Sequence, residues 1–321
     1  MKLSLIVTHY NEPRKDIENL FKSIAFQRMV PWSDIDIHIV EDGTVDVPED
    51  LYRDLQCEVY HHHPGHQGVS GARNYGFDNS TGDYVMFCDC DDMFLNALGI
   101  HLVLCAIEES PEFISSCFIE ETKAIDTGEI RIVRHDNDLT FIHGKAYRRA
   151  FLKREGVRFD KDMAVHEDGY FNRLAFYLQK SRKYIETPFY LWCWRDNSVC
   201  RDDEFVLKTY PQLIRNRIAL SEKLLSKGLE EGYKNSVLAT FCLAYYDFMK
   251  PSWNKEQYGG YIVEARKAVR KFWRKYGDFI KTNCTKPEMA AAMRGCREQA
   301  YKEGMLYETM TIIQFVRVLE E

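Results

Sequence analysis

Tyr84-Val85-Met86-Phe87-Cys88-Asp89-Cys90-Asp91-Asp92 runs from five apolar residues straight into a cluster of acids. The apolar part shows no alternation, as expected of a strand covered on both faces. On an extended chain residues i and i+2 point the same way, so Asp89 and Asp91 can face one site. Upstream, Leu3–Thr8 is apolar and β-branched, Ile35–Asp42 ends in Glu41-Asp42, and Cys57–Tyr60 reads as a third, shorter strand. Between the first two, Ile17, Leu20, Phe21 and Ile24 recur at helical spacing, and a second helix is expected over Ser70–Asn79. Strands alternating with helices predict βαβ units in a mainly parallel sheet, where ligands bind beyond the carboxyl ends of the strands. Three such ends are polar and mostly acidic: Asn11-Glu12, Glu41-Asp42 and Asp89 to Asp92.

Residues 96–200 mix element types, with a helix over Leu98–Glu108, strands near 113–120 and 129–134, a helix near 145–154 and another after His166-Glu167-Asp168. From about 205 the pattern is almost wholly helical, with segments near 205–227, 233–249, 258–276 and 287–303. The expected organisation is an α/β domain over 1–200 and an all-α C-terminal module over 201–321.

Composition narrows the classes. The chain's 45% hydrophobic and 29% charged residues fit an ordinary folded protein, with no repeat or low-complexity tract. The N-terminal apolar run of about five residues is too short for a signal peptide or a membrane span, so a cytoplasmic location is expected. Ten cysteines in a large chain, none spaced C-x-x-C, predict free thiols rather than disulfides or structural zinc. The net charge of −6 is uneven: residues 201–321 carry 21 Lys and Arg against 16 Asp and Glu, net +5, which leaves −11 for the rest. That acidity argues against stable nucleic-acid binding by the first domain.

Each motif has a plainer alternative. Asp89-Cys90-Asp91 suits Mg²⁺ or Mn²⁺, which take oxygen ligands and complete their shell with substrate phosphates; it is equally the acidic turn found at many strand ends. Gly68 to Gly76 places glycines and Ser70 at a helix start, as a phosphate-facing loop does, with Arg73 one turn in. Arg73 reaches either a diphosphate or a structural acid partner. His61-His62-His63-Pro64-Gly65-His66 invites a metal reading, but consecutive side chains on a strand alternate faces, so at most two of the first three converge and loop or strand-end histidines are the expected reading. In 266–275 of the tail, Val269, Phe272 and Trp273 gather on one side among six cations. Such a helix can touch a membrane surface peripherally or bind an anionic polymer, or it packs with a solvated basic face.

Taken as an ordered set, SLIVTHYNE, IVEDGTVD, GVSGARNYGFDNSTGDYVMFCDCDD and HEDGYFNRLAF resemble the inverting family-2 glycosyltransferases of GT-A fold, over roughly residues 1–200. The resemblance implies a Rossmann-like sheet in which 1–95 binds a nucleotide-sugar and 96–200 the acceptor. Thr8, Glu12 and Asp42 then fall where the family holds the nucleotide, Arg73 in its Ala-Arg-Asn element beside the donor, and Asp89 and Asp91 on its D-x-D motif. Asp91 is the expected direct metal ligand, with Asp89 nearer the ribose. Asp168 falls on the family's catalytic base, with Glu167 beside it to raise its basicity; a helix cap is the plainer role. Arg195 and Ser198, in Trp192 to Ser198, resemble a late loop that closes on donor phosphates, while His143 and His166 are candidate acceptor contacts. Two departures stand out: Glu41-Asp42 where two aspartates are usual, and Cys90 inside D-x-D.

The implied reaction is metal-dependent transfer of a sugar, from a UDP-sugar by expectation, to a hydroxyl of a glycan or other acceptor, the tail shaping the acceptor site or a homo-oligomer contact. A sugar-phosphate nucleotidyltransferase is the rival enzyme, but HYNEPRKD after Thr8 lacks its glycines. A non-catalytic nucleotide-sugar-binding module would have lost the D-x-D or the Glu-Asp pair, and both are present.

Overall fold

The computed structural model describes residues 1–123, 128–195, 203–302 and 304–321. They form two compact units, Met1–Asp196 and Asn197–Glu321.

In the first unit β1 (Leu3–His9) lies inside a seven-stranded sheet, parallel to β2 (Ile35–Glu41) on one side and to the central strand β4 (Tyr84–Asp89) on the other. Beyond β2 comes β3 (Glu58–His62), also parallel. Burial on both faces explains why these strands are mostly apolar. Leu5, Val7, Ile37, Ile39, Tyr84 and Met86 are all fully buried, each stabilising the fold by about 1.5–3 kcal/mol. Crossovers are made by α1 (Arg14–Ala25), which buries Ile17, Leu20, Phe21 and Ile24, and by α2 (Gly68–Asn79). A Cβ on Gly76 of α2 would stand 2.4 Å from Ile6 Cγ2. Only glycine lets α2 approach β1 so closely, and this approach carries Arg73, one turn earlier, to the strand ends.

The other half of the sheet contains β9 (Lys145–Arg148), antiparallel to β4 and to β6 (Phe113–Ser116), with β10 (Arg182–Ile185) parallel to β6 at the edge. A four-stranded sheet holds β5 (Met93–Phe94), β11 (Tyr190–Trp192), β7 (Phe118–Lys123) and β8 (Ile130–His135) in that order. The helices of this half are α3 (Gly99–Glu108), α4 (Arg149–Glu155) and α5 (Glu167–Leu178). Two sequence expectations are corrected. The strand expected over 113–120 is two strands in different sheets, parted at Cys117. The helix expected over 145–154 starts only at Arg149, because Lys145, Ala146 and Tyr147 are buried between two strands.

The second unit is all helix: α6 (Asp203–Ser226), α7 (Glu230–Asp247), α8 (Gly259–Asn283), α9 (Lys286–Lys302) and α10 (Ile312–Glu320). The last was not expected from the sequence, although Thr311 and Gln314 form a capping box at its start. Val269, Phe272 and Trp273 of the basic segment are buried in this unit's own core, Arg270 donates to the Val318 carbonyl, and Lys267 pairs with Glu264 at 2.7 Å. The segment is a packed helix with a solvated basic face. Among the described residues no helix is long and apolar enough to cross a membrane, and no disulfide joins two described cysteines.

Candidate active site

The parallel register aligns the polar strand ends: His9 pairs with Glu41 and Thr8 with Asp89. The Thr8 carbonyl accepts the Cys90 N–H at 3.3 Å and the His9 carbonyl the Asp42 N–H at 2.9 Å, so both acidic turns are tied to β1. Asn11, in the left-handed region with φ 59°, accepts the N–H groups of Thr44 at 2.7 Å and Val45 at 2.8 Å. A Cβ on Gly43 would meet that Asn11 oxygen at 2.4 Å, so the two loops close only with glycine there.

At the base of this cleft lies Arg73, 3% exposed. One guanidinium nitrogen donates to Glu167 at 2.9 Å and also to Asp168; the other donates to Asp89 at 2.8 Å. Its face covers the Phe159 ring at 5.2 Å. Residues from α2, β4 and the start of α5 thus converge on a single cation. Burial alone would raise the Asp89 carboxyl, but Arg73 outweighs it and holds Asp89 below the usual range. Asp168 goes the other way: burial, followed by the charges of Glu167 and Asp89, pushes it well above the ordinary value against Arg73.

Asp168 lies in the first turn of α5, yet its second oxygen accepts the Ile142 N–H at 3.1 Å. The Ile142 loop is pinned on both sides. Lys145, 1% exposed, donates to the carbonyls of Phe141 at 2.6 Å and His143 at 3.2 Å, and Asn172 donates to Phe141 O at 2.8 Å.

Asp91 pairs with Arg195 and keeps only 12% side-chain exposure. Burial, then the Asp89 charge, raises its carboxyl to about 6 despite Arg195. That excess of buried negative charge on partly exposed oxygens fits a divalent cation, so Asp89 and Asp91 suit a hard metal by donor chemistry. Asp92, 1% exposed, turns inward. It accepts from Tyr190 Oη at 3.0 Å and the Cys193 N–H at 3.1 Å, and Tyr190 Oη itself accepts the Asp89 N–H at 3.2 Å. Burial, then the charges of Asp91 and Asp89, drives Asp92 well above the carboxylate range.

Of the remaining candidates, Glu12 accepts from the Tyr10 N–H at 2.6 Å and the Cys90 thiol at 3.3 Å. Asp42 accepts the Gln67 N–H with one oxygen and lies 3.0 Å from His66 with the other. His143 is 3% exposed and boxed by Phe118, Phe141, Tyr190 and Trp192, at ring separations of 5.1–5.8 Å. Burial lowers it to about 3, so its ring is neutral. His166 is the left-handed residue, φ 60°, that turns the chain into α5. Ser198 lies outside the described residues.

Sequence reasoning missed two networks. In one, buried Glu41 accepts from His9 at 2.5 Å, His61 at 2.6 Å and the Val47 N–H at 2.7 Å. The other is Asp92–Tyr190 with its aromatic box. No local pattern signals either, since their members lie on separate strands.

The glycosyl transferase family 2 model matches residues 4–195. EpsJ of Bacillus subtilis, an uncharacterized glycosyltransferase, is 28% identical over 221 residues, 61% of this chain and 62% of EpsJ. TarS of Staphylococcus aureus, a poly(ribitol-phosphate) beta-N-acetylglucosaminyltransferase, is 23% identical over 300 residues, 88% of this chain but 49% of TarS. The chain therefore matches only about half to three-fifths of either relative's length. The crystal structure of TarS residues 1–349 superposes with a TM-score of 0.61 at 15% identity, covering 96% of this chain and 93% of that one. A mannosyltransferase from Pyrobaculum calidifontis, solved with GDP-Man and Mn²⁺, gives 0.51 at 14%, covering 95% and 87%. With the matched region spanning every element that builds the acidic cleft, the chain belongs to glycosyl transferase family 2 and has the GT-A fold.

Proposed function

We propose that this glycosyltransferase is an inverting, metal-dependent enzyme that moves a sugar from a UDP-sugar to an acceptor hydroxyl, with Asp168 as general base. The observation that carries the reading is Arg73, whose guanidinium spans Asp89 of the D-x-D motif and Asp168. Donor end and base are thereby held within one side chain of each other, as single displacement requires. TarS has been solved with UDP and with UDP-GlcNAc, which supports a uridine donor.

Thr8, Glu12 and Asp42 line the nucleotide end, and Asp91 with Asp89 would hold Mn²⁺ or Mg²⁺. When bound, the ion supplies positive charge to the departing diphosphate. Arg195 and Ser198 are assigned to the phosphates, His166 to the acceptor side. His143 is assigned an indirect role there, through Asp92 and the pinned 141–143 loop. The acceptor oxygen attacks the anomeric carbon as the bond to the diphosphate breaks on the opposite side, and its proton passes to Asp168. A carboxyl raised by burial and like charge accepts that proton more readily at neutral pH than a solvated one.

A thermal-shift panel of nucleotides and nucleotide-sugars with Mn²⁺ tests the site. UDP should stabilise the wild type and not Asp91→Ala; indifference to every nucleotide would sink the proposal. Asp168→Asn should retain UDP binding and lose about 10²–10⁴-fold in kcat.

A further inference from the structure

One cluster of unlike donor atoms is used neither by the proposed base nor by the D-x-D carboxylates. His9 ends β1, Glu12 follows in the loop, and Cys90 sits between the two D-x-D aspartates. Cys90 Sγ lies 3.3 Å from Glu12 Oε2, and His9 Nε2 lies 3.7 Å from that same oxygen. All three donor atoms fall within 4.8 Å of one another. For zinc bonds of about 2.0–2.3 Å, one face of a tetrahedron has edges of roughly 3.3–3.6 Å. The two measured edges match that face to a few tenths of an ångström.

The surroundings of His9 point the same way. Its far nitrogen, Nδ1, is 2.5 Å from Glu41 Oε2, and Glu41 is itself fixed by His61 and the Val47 N–H. A carboxylate behind the distal nitrogen is how metal-bound histidines are oriented and made more basic. Without a cation, Nε2 faces the Glu12 carbonyl oxygen at 3.1 Å. This carbonyl and the Cys90–Glu12 contact fill the same space more weakly.

We propose that His9, Glu12 and Cys90 form a second cation site, selective for zinc and separate from the site of the Mn²⁺ or Mg²⁺ that serves the donor. A thiolate and an imidazole favour zinc, whereas Mg²⁺ and Mn²⁺ prefer the all-oxygen pair Asp89 and Asp91. Binding displaces one proton from the Cys90 thiol and one from His9 Nε2, both to solvent, with no change of oxidation state. Glu12, which remains 18% exposed, is the ligand an incoming cation meets first. Occupancy draws Glu12 away from the nucleotide, so zinc inhibits transfer. This inhibition rests on the proposed donor role of Glu12; zinc binding itself does not.

The test uses the full chain carrying Cys105→Ser, because exposed Cys105 lies 3.5 Å from His101 Nε2 and is a ready adventitious zinc pair. Zn²⁺ is titrated against a chromophoric chelator, and Cd²⁺ is added separately to read the thiolate–metal charge-transfer absorption. The expected result is one tight zinc, weakened by more than about 100-fold in Cys90→Ser and by about 10–100-fold in Glu41→Gln. Equal zinc affinity with and without Cys90→Ser, or cadmium absorption that survives the substitution, overturns the site. In the activity arm, with each protein read against its own zinc-free rate, Cys90→Ser should lose the inhibition by zinc. Zinc that binds through Cys90 without inhibiting overturns the regulatory consequence. Absence of any nucleotide binding would instead count against the proposed donor reading and leave the zinc titration standing.

Discussion

Replacing Arg73 by methionine keeps the length and apolar stem of the side chain and removes the charge shared by Asp89, Glu167 and Asp168. Taking one partner from a buried ion pair costs about 3–5 kcal/mol, because the remaining charge is left without compensation. Here three carboxyls lose one cation, and they limit the penalty by taking up protons. Each unit by which a carboxyl must rise costs about 1.4 kcal/mol, so a rise of about two to three units at Asp89 alone reaches the same range. The pH dependence has a definite sign. In the wild type Asp89 sits below its ordinary value, so it contributes stability above the unfolded value, near pH 4, that is lost as pH falls through its folded value. In the variant the carboxyls sit above theirs, and their contribution is lost as pH rises through those raised values. Both effects make the deficit smallest near pH 4 and largest near pH 8. Native-state hydrogen exchange of the β1 and β4 amides reads this within the first unit, independently of the helical module. A deficit below about 1 kcal/mol, or one that does not change with pH, would refute the account of Arg73 as the shared counter-charge of Asp89, Glu167 and Asp168.

Glu41→Gln should destabilise the first unit by about 3 kcal/mol near neutral pH. Although burial raises the Glu41 carboxyl, His61, His9 and the Val47 N–H hold it at about 2 against an ordinary 4.5; its stabilisation is therefore present above about 4.5 and lost as pH falls toward 2, and urea melts across that window should lose their acid slope in the variant. Because Asp91 is raised to about 6, protonation competes with the metal, so Mn²⁺ affinity measured by calorimetry should weaken as pH falls through 6; an equal slope in Asp91→Asn would contradict this. Arg195→Ala should tighten Mn²⁺ binding in the absence of nucleotide and weaken UDP binding in its presence, reducing their thermodynamic coupling by roughly tenfold, or about 1.4 kcal/mol; unchanged coupling would mean that Arg195 does not exchange partners.

The nucleotide-facing half of the fold was legible because its strands are covered on both faces. Leu3–His9, Ile35–Glu41 and Tyr84–Asp89 are rich in apolar and β-branched residues, and acids cluster where the sheet stops covering the chain. The second half was harder to read. Tyr147, Phe151 and Leu152 recur at helical spacing, but Tyr147 packs within the sheet while the other two belong to α4. Nothing local marks Cys117 as the place where a strand passes from one sheet to the other. The site divides the same way: its acids announce themselves at strand ends, but their partners do not. Tyr190 reaches Asp92 across 98 residues and His9 reaches Glu41 across 32, so only the folded sheet brings them together. His143 could be read from sequence as a polar residue near the acceptor, but spacing carries no information about an aromatic box closing around its ring.

The counter-ions give the proposed cleft an order of events. Glu12, Asp89, Asp91, Glu167 and Asp168 face one another across a space whose described cations are Arg73 and Arg195. Burial, and then the neighbouring negative charges, holds Asp91 and Asp168 above their ordinary values despite guanidinium contacts. Arg73 is held by three acids on rigid elements and has no reason to move. Among the described residues Arg195 pairs with one carboxylate, on the residue assigned to the metal. On the proposed reading Asp91 would exchange the guanidinium for a divalent ion, and the freed Arg195 would pair with the donor diphosphate. Metal alone must break the Asp91–Arg195 pair without repayment, and nucleotide alone finds Arg195 already occupied. On the proposed reading each would bind weakly alone and well together, so the donor would enter with its metal and Asp168 would be left to the acceptor.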